Sequence, residues 1–175
     1  FHGRTLGAVT FTASKANYKG GFFPLMNGVV HVPFPNPYRP LLQRRPGMGH
    51  GETVVHYIEE EILGRLVPGD DVAGILLEPV QGEGGYIFPP DDFFPKLRKW
   101  CDERKVLLFA DEVLTSMGRT GKYLAMEHWN TIPDVVTLGK GFGNGFPVTA
   151  MVVRKEYSEA IDKISASTSY GGNPM

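Results

Sequence analysis

Three features of the 175-residue sequence predict an α/β fold with a central, mostly parallel sheet flanked by helices. Apolar runs recur at 72–77, 106–110 and 134–138, and the first is continuous rather than alternating, the pattern of a strand buried on both faces. Between the first two runs lies a segment with apolar residues at helical spacing, so strand, helix and strand read as a right-handed crossover. Polar residues follow the runs: Glu78 with Gln81 and Glu83, then Asp111 and Glu112, then Lys140 after Gly139.

Taken in order, Phe1 to Ala16 reads as a loop entering a helix or strand, and 17–51 as a long irregular excursion rich in Gly, Pro and Asn. Within it, Val29-Val30-His31-Val32 is a short strand candidate. From Glu52 the pattern turns helical: Thr53 is a capping residue, Val55, Ile58, Ile62 and Leu66 form one stripe, and Pro68-Gly69-Asp70 ends the helix. After the strand at 72–77 and a turn at Pro89-Pro90, residues 91–103 form a helix with Phe93, Phe94, Leu97, Trp100 and Cys101 on its apolar side. Asp91 or Asp92 caps it, which places Pro95 in the first turn. The strand at 106–110 leads through a glycine-bearing loop to a short helix at 124–128 and the strand at 134–138. A fourth strand is expected at 146–153 and a last helix at 156–164.

Composition narrows the functional classes. A hydrophobic fraction of 42%, a charged fraction of 21% and a net charge of -1 describe an ordinary globular domain. That balance carries no electrostatic footprint for nucleic acid, and no apolar run approaches membrane-spanning length. One cysteine, Cys101, rules out an internal disulfide and fits a reducing compartment, so a cytoplasmic location is expected. The sequence starts without an initiator Met and stops without a terminal helix, so it is expected to be part of a longer protein.

Ligands of parallel α/β sheets lie beyond the carboxyl ends of the strands, where Glu78, Asp111 and Lys140 recur. A carboxylate and an amine held there are the equipment needed to bind pyridoxal phosphate and make it reactive. The lysine can form a Schiff base with the aldehyde, and the carboxylate can keep the ring nitrogen protonated as an electron sink. Two ordinary surface charges at strand ends are the alternative. Lys140 lies between Gly139 and Gly141, without the spacing or following hydroxyl of a Walker loop. Asp111, Glu112 and Glu78 or Glu83 have no fixed metal-binding pattern, and His31, His50, His56 and His128 lack zinc spacing, so no metal is expected.

The segment FADEVLTSMGRTGK, Phe109 to Lys122, resembles the cofactor-binding signature of the class III aminotransferases, pyridoxal-phosphate enzymes of fold type I. FHGRT at 1–5, EPVQGEGG at 78–85, TLGKGFGNGFP at 137–147 and TSYGGNP at 168–174 match in family order. The resemblance implies that the chain is part of the large cofactor-binding domain, with an upstream phosphate loop and a C-terminal small domain outside it. It implies that Lys140 binds the cofactor covalently and shuttles a proton, and that Asp111 partners the pyridine nitrogen. Val113 packs on one ring face, while Phe1, or alternatively His2, covers the other. The same resemblance implies that Arg4 holds a substrate carboxylate, that Glu83 neutralises a second arginine expected beyond Met175 until a dicarboxylate acceptor displaces it, and that Glu78 lies near substrate and cofactor. The resemblance further implies that Ser169 reaches the cofactor phosphate of the other subunit, which makes a homodimer with a shared active site, and it leaves a tetramer open as a further level of assembly. Leu114 departs from the family pattern, which has a glutamine there to donate to the cofactor's phenolic oxygen.

The implied reaction is amino transfer from an ω-amino acid, such as 4-aminobutyrate or ornithine, to 2-oxoglutarate. A racemase or epimerase of the same family uses the same lysine and ring and is the alternative within enzymes. A cofactor-free relative acting as a binding or structural protein is the alternative outside them.

Overall fold

A computed structural model describes residues 1–163 and 169. Four strands form one sheet in the order β1 (Gly74–Leu77), β2 (Leu107–Asp111), β3 (Val135–Leu138) and β4 (Ala150–Val153). The first three are mutually parallel, as the apolar runs predict, and β4 runs antiparallel to β3. After β3 the chain makes a 3-10 turn at Lys140–Gly143 and reverses through Asn144 and Gly145, both at positive φ. The connection 139–149 contains no crossover helix, so the chain returns beside β3 in the opposite sense.

The core lies between β1 and β2 and a pair of helices, α2 (His50–Tyr57) and α3 (Phe93–Arg104). Phe94, Leu97 and Cys101 of α3 are buried against Leu108 and Ala110 of β2 and against Val54, Val55 and Ile58. The two helices approach so closely that a Cβ on Gly51 would sit 2.5 Å from the Phe93 Cα atom. Glycine is required at that crossing because backbone cannot yield as a side-chain tip can. Asp92 precedes α3, yet its side chain accepts a 2.8 Å bond from the Glu52 backbone N–H and so satisfies a free donor in the first turn of α2.

Several local expectations change. Thr53 does not cap: α2 begins at His50, and the buried Thr53 hydroxyl donates back to the Gly49 carbonyl at 2.8 Å. The helix widens into a π segment at Ile58–Leu63, which advances the chain by more residues per turn. Ile58 and Ile62 remain buried, but the 3.6-residue count no longer carries Leu66 to the core, and it is exposed. Val29–Val32 is not a strand. Pro33, Pro35 and Pro37 remove ladder donors from that stretch, and Val32 and Phe34 pack on the core from irregular backbone.

The opening segment contains the short helix α1 (Leu6–Phe11). The helix expected at 124–128 is a 3-10 turn, Ala125–Trp129. The last expected helix resolves into a 3-10 turn at Lys155–Tyr157 and α4 (Ser158–Asp162), while its end at 164 lies outside the described residues. The fourth strand is shorter than expected, starting at Ala150 rather than Phe146. Among the described residues no helix is long and apolar enough to cross a membrane.

Candidate active site

Asp111 ends β2 and stands in register with Thr137 of the parallel neighbour β3. Lys140 follows three residues later on that neighbour, so carboxylate and amine emerge from adjacent strands at the same edge of the sheet. Asp111 is buried, 7% exposed, and both carboxylate oxygens are engaged. Oδ1 accepts from the Val113 backbone N–H at 3.1 Å and from the Thr137 hydroxyl at 3.3 Å. Oδ2 lies 2.7 Å from His2 Nδ1. An ionised carboxylate can only accept, so His2 Nδ1 carries the proton in this bond. Burial opposes ionisation of Asp111, but the His2 hydrogen bond and charge and the Val113 N–H together hold its pKa below the ordinary carboxylate value.

Val113 connects the two strand ends: a Cβ on Gly139, the residue before Lys140, would lie 3.2 Å from Val113 Cγ1. Lys140 itself adopts a positive φ of 47° and is exposed. It lines an open pocket of roughly 610 Å³ with Gly141, Asn144, Met117 and Arg119. Met117 and Arg119 lie within the 109–122 motif but were not singled out, because only the fold of the 112–122 loop carries their side chains to Lys140.

Phe1, Arg4, Glu83 and Tyr18 form a second group beside this edge. The Phe1 and Tyr18 rings meet edge to face at 5.1 Å, and the Arg4 guanidinium lies over both, 4.9 Å from the Tyr18 centroid and 5.5 Å from that of Phe1. The Tyr18 hydroxyl donates to Glu83 Oε2 at 2.8 Å. That bond, aided by the charges of Lys15, Lys140 and Arg4, keeps the Glu83 carboxyl below its usual pKa range despite some desolvation. Tyr18 was missed by sequence reasoning, because its role depends on a partner 65 positions away.

The other acidic candidates have protein partners. Glu78 is buried and accepts from Gly82 N–H at 2.9 Å, with the Phe1 backbone nitrogen 2.5 Å from its other oxygen. Glu112 is fully buried and accepts from Thr115 Oγ1 and from the Ala125 and Met126 N–H groups at 3.0 and 2.9 Å, which anchors the loop to the following 3-10 turn. Among the described residues no group of three or more His, Cys, Asp or Glu side chains is arranged to hold a metal ion. Leu114 packs over Gly82, where an added Cβ would fall 2.1 Å from Leu114 Cδ2. Ser169 is exposed in a turn, and the rest of its motif, 168 and 170–174, lies outside the described residues.

A mostly parallel sheet with a buried carboxylate and a lysine at adjacent strand ends is the arrangement of a fold type I cofactor-binding domain, and the comparisons agree. The aminotransferase class-III family matches residues 1–175, and the chain belongs to that family. Its sequence is 39% identical over 175 residues to acetylornithine aminotransferase of Methanopyrus kandleri, covering all of this chain and 39% of that protein. It is 37% identical over 181 residues to alanine/serine racemase of Pyrococcus horikoshii, covering all of this chain and 37% of that one. Among solved structures, an amine transaminase from an uncultivated Pseudomonas species in its PLP-bound, internal aldimine form superposes with a TM-score of 0.87 at 31% identity, over 97% of this chain and 39% of the other. An (S)-enantioselective omega-transaminase from Thermomicrobium roseum gives 0.81 at 31% identity, over 98% and 38%. The chain spans about two-fifths of the length of these curated relatives.

Pyridoxal phosphate is the cofactor of this family. The residues present fit it: Asp111 offers a buried anion suited to a protonated ring nitrogen, and Lys140 offers an accessible amine suited to an aldehyde.

Proposed function

We propose that the complete protein transfers an amino group from an ω-amino acid, such as 4-aminobutyrate or ornithine, to 2-oxoglutarate. One observation carries the reading: the Asp111–Thr137 register, which sets a buried carboxylate and Lys140 at adjacent strand ends. When bound, the cofactor supplies an aldehyde carbon that condenses with amines and a ring that accepts electrons.

This chain's residues do the remaining work. Lys140 Nζ would hold the cofactor's aldehyde carbon and, once freed by a donor amine, would carry a proton between the donor carbon and that same cofactor carbon. Asp111, kept ionised by His2 and the Val113 N–H, would hold a proton on the cofactor's ring nitrogen. Val113 and Phe1 provide apolar surface for the ring, and Arg4 binds a substrate carboxylate with its planar fork. Glu78 orders the Gly82 loop beside the substrate.

In this reading residues 1–175 are part of the large cofactor domain, with the phosphate loop and small domain supplied by the rest of the protein. Two subunits share each active site, with Ser169 reaching the partner's cofactor phosphate, and the protein resides in the cytoplasm, in keeping with its single, buried cysteine.

Racemisation uses the same lysine and carboxylate, and the 37% identity to an alanine/serine racemase supports it as a second reading. The test is the visible spectrum of the complete protein with pyridoxal phosphate, beside Lys140→Ala. A lysine-dependent band that amino donors bleach once, and that 2-oxoglutarate restores, is expected. Sustained loss of donor chirality without an acceptor selects the racemase, and the absence of a lysine-dependent band defeats both.

A further inference from the structure

Tyr18 touches three side chains already placed in the site: Phe1, Arg4 and Glu83. It lies in the 3-10 turn Ala16–Lys19 and is half-buried, whereas Arg4 is exposed. The guanidinium carbon of Arg4 lies 4.9 Å from the Tyr18 ring centroid and 5.5 Å from that of Phe1. The two rings meet edge to face at 68°, with centroids 5.1 Å apart, so they form two walls of one corner rather than a flat stack. Tyr18 is itself held at its far end, where the hydroxyl donates to Glu83 Oε2 at 2.8 Å. Lys15 Nζ also faces the Tyr18 ring, but at 5.7 Å, and its ion-pair partner is Glu83.

We propose that Tyr18 is a positioning residue for substrates that carry a carboxylate: with Phe1 it forms an aromatic seat that orders Arg4 and leaves the guanidinium donors to the substrate. This rests on the carboxylate-binding role given to Arg4 under the amino-transfer reading. The physical reason is preorganisation. A long arginine side chain on a surface samples many rotamers, and a ligand that must order it binds more weakly for doing so. Contact with ring faces orders the guanidinium beforehand. It acts through charge and surface, so the N–H fork stays available to a carboxylate, whereas an acid in the same place would occupy it. The effect belongs to the ring, so phenylalanine preserves it and an aliphatic side chain does not.

The test uses the complete protein loaded with pyridoxal phosphate and titrated by calorimetry with pentanoate, a carboxylate that lacks an amine and cannot react. Tyr18→Leu is expected to weaken pentanoate binding about two- to fivefold, the scale of an exposed cation–π contact. Tyr18→Phe is expected to match wild type, since the ring remains. Arg4→Ala should weaken binding by itself, and adding Tyr18→Leu to it should change nothing further, because the seat then has no occupant. The Lys140-dependent absorption band, kept in each variant, reports an intact cofactor site, and Tyr18→Met replaces Tyr18→Leu if the latter loses the band.

Wild-type affinity in Tyr18→Leu overturns the proposal. Equal weakening in Tyr18→Phe and Tyr18→Leu does so too, since the hydroxyl rather than the ring would then matter. A further loss in the Arg4→Ala background, or loss of the band in both aliphatic variants, assigns Tyr18 a general structural role and also overturns it. Pentanoate binding that is absent in wild type or unaffected by Arg4→Ala removes the carboxylate role of Arg4 and this inference with it. The amino-transfer reading is separable, because it stands or falls on the Lys140-dependent band.

Discussion

His2 Nδ1 and Asp111 Oδ2 lie 2.7 Å apart although 109 residues separate them in the chain. The bond ties the first residues of the sequence to the end of the central strand β2, and a second bond, from the His2 backbone N–H to the Thr12 hydroxyl at 2.9 Å, fixes the other end of His2. Asp111 is thus presented as a fixed, ionised group rather than as a mobile surface acid.

A pH dependence follows from that ionisation. The folded-state pKa of Asp111 lies below the ordinary 3.8, so its contribution to stability is complete above that value and is lost as pH falls through the lower folded value. Asp111→Asn should lower stability at pH 7 by about 1.5–3 kcal/mol, the range for a hydrogen bond to a charged group. The gap between wild type and variant should narrow below about pH 4. Urea unfolding midpoints measured from pH 7 to pH 3 check this; a gap that stays constant throughout would contradict it.

Asp134 is the structural counterpart of Asp111 at the opposite end of the sheet. It is 3% exposed, accepts from the Leu108 backbone N–H at 2.8 Å and from Arg98 Nη1 at 2.7 Å, and has Arg154 Nε at 3.3 Å. One carboxylate therefore joins β2, α3 and the strand β4 that Arg154 follows. Asp134→Ala removes the buried partner of the largely buried Arg98, leaving it only the exposed Asp102 at 2.8 Å, and should cost about 3 kcal/mol. Thermal melting of Asp134→Ala beside Arg154→Ala separates the two partners, with the Arg154 change expected to be the smaller because that side chain is more exposed.

Cys101 is fully buried in the α3–β2 core, and desolvation pushes its thiol up to about 12. At pH 8 the native protein should therefore react with iodoacetamide only at the rate at which it unfolds. Labelling followed by mass measurement across a urea series should track the unfolding curve; rapid stoichiometric labelling of the native protein would show that the α3 packing is open.

Much of the architecture was legible because it is encoded locally. The apolar runs within 72–77, 106–110 and 134–138 became the parallel strands, and α3 kept the helical stripe of Phe93, Phe94, Leu97, Trp100 and Cys101. Local pattern failed where a neighbour decides the geometry. The π turn at 58–63 displaced Leu66 from its stripe, and Asp92 spent its side chain on α2 rather than on its own helix.

The sequence by itself determined the order of strands and helices and the placement of Asp111 and Lys140 at strand ends, since both follow from residue spacing along one segment. Only the tertiary structure decided that His2 holds Asp111, that Tyr18 stands between Arg4 and Glu83, and that Val113 packs beside Gly139. Each of these is a meeting of groups from distant segments, and directional hydrogen bonds and ring contacts exist only once packing has brought both partners within a few ångströms.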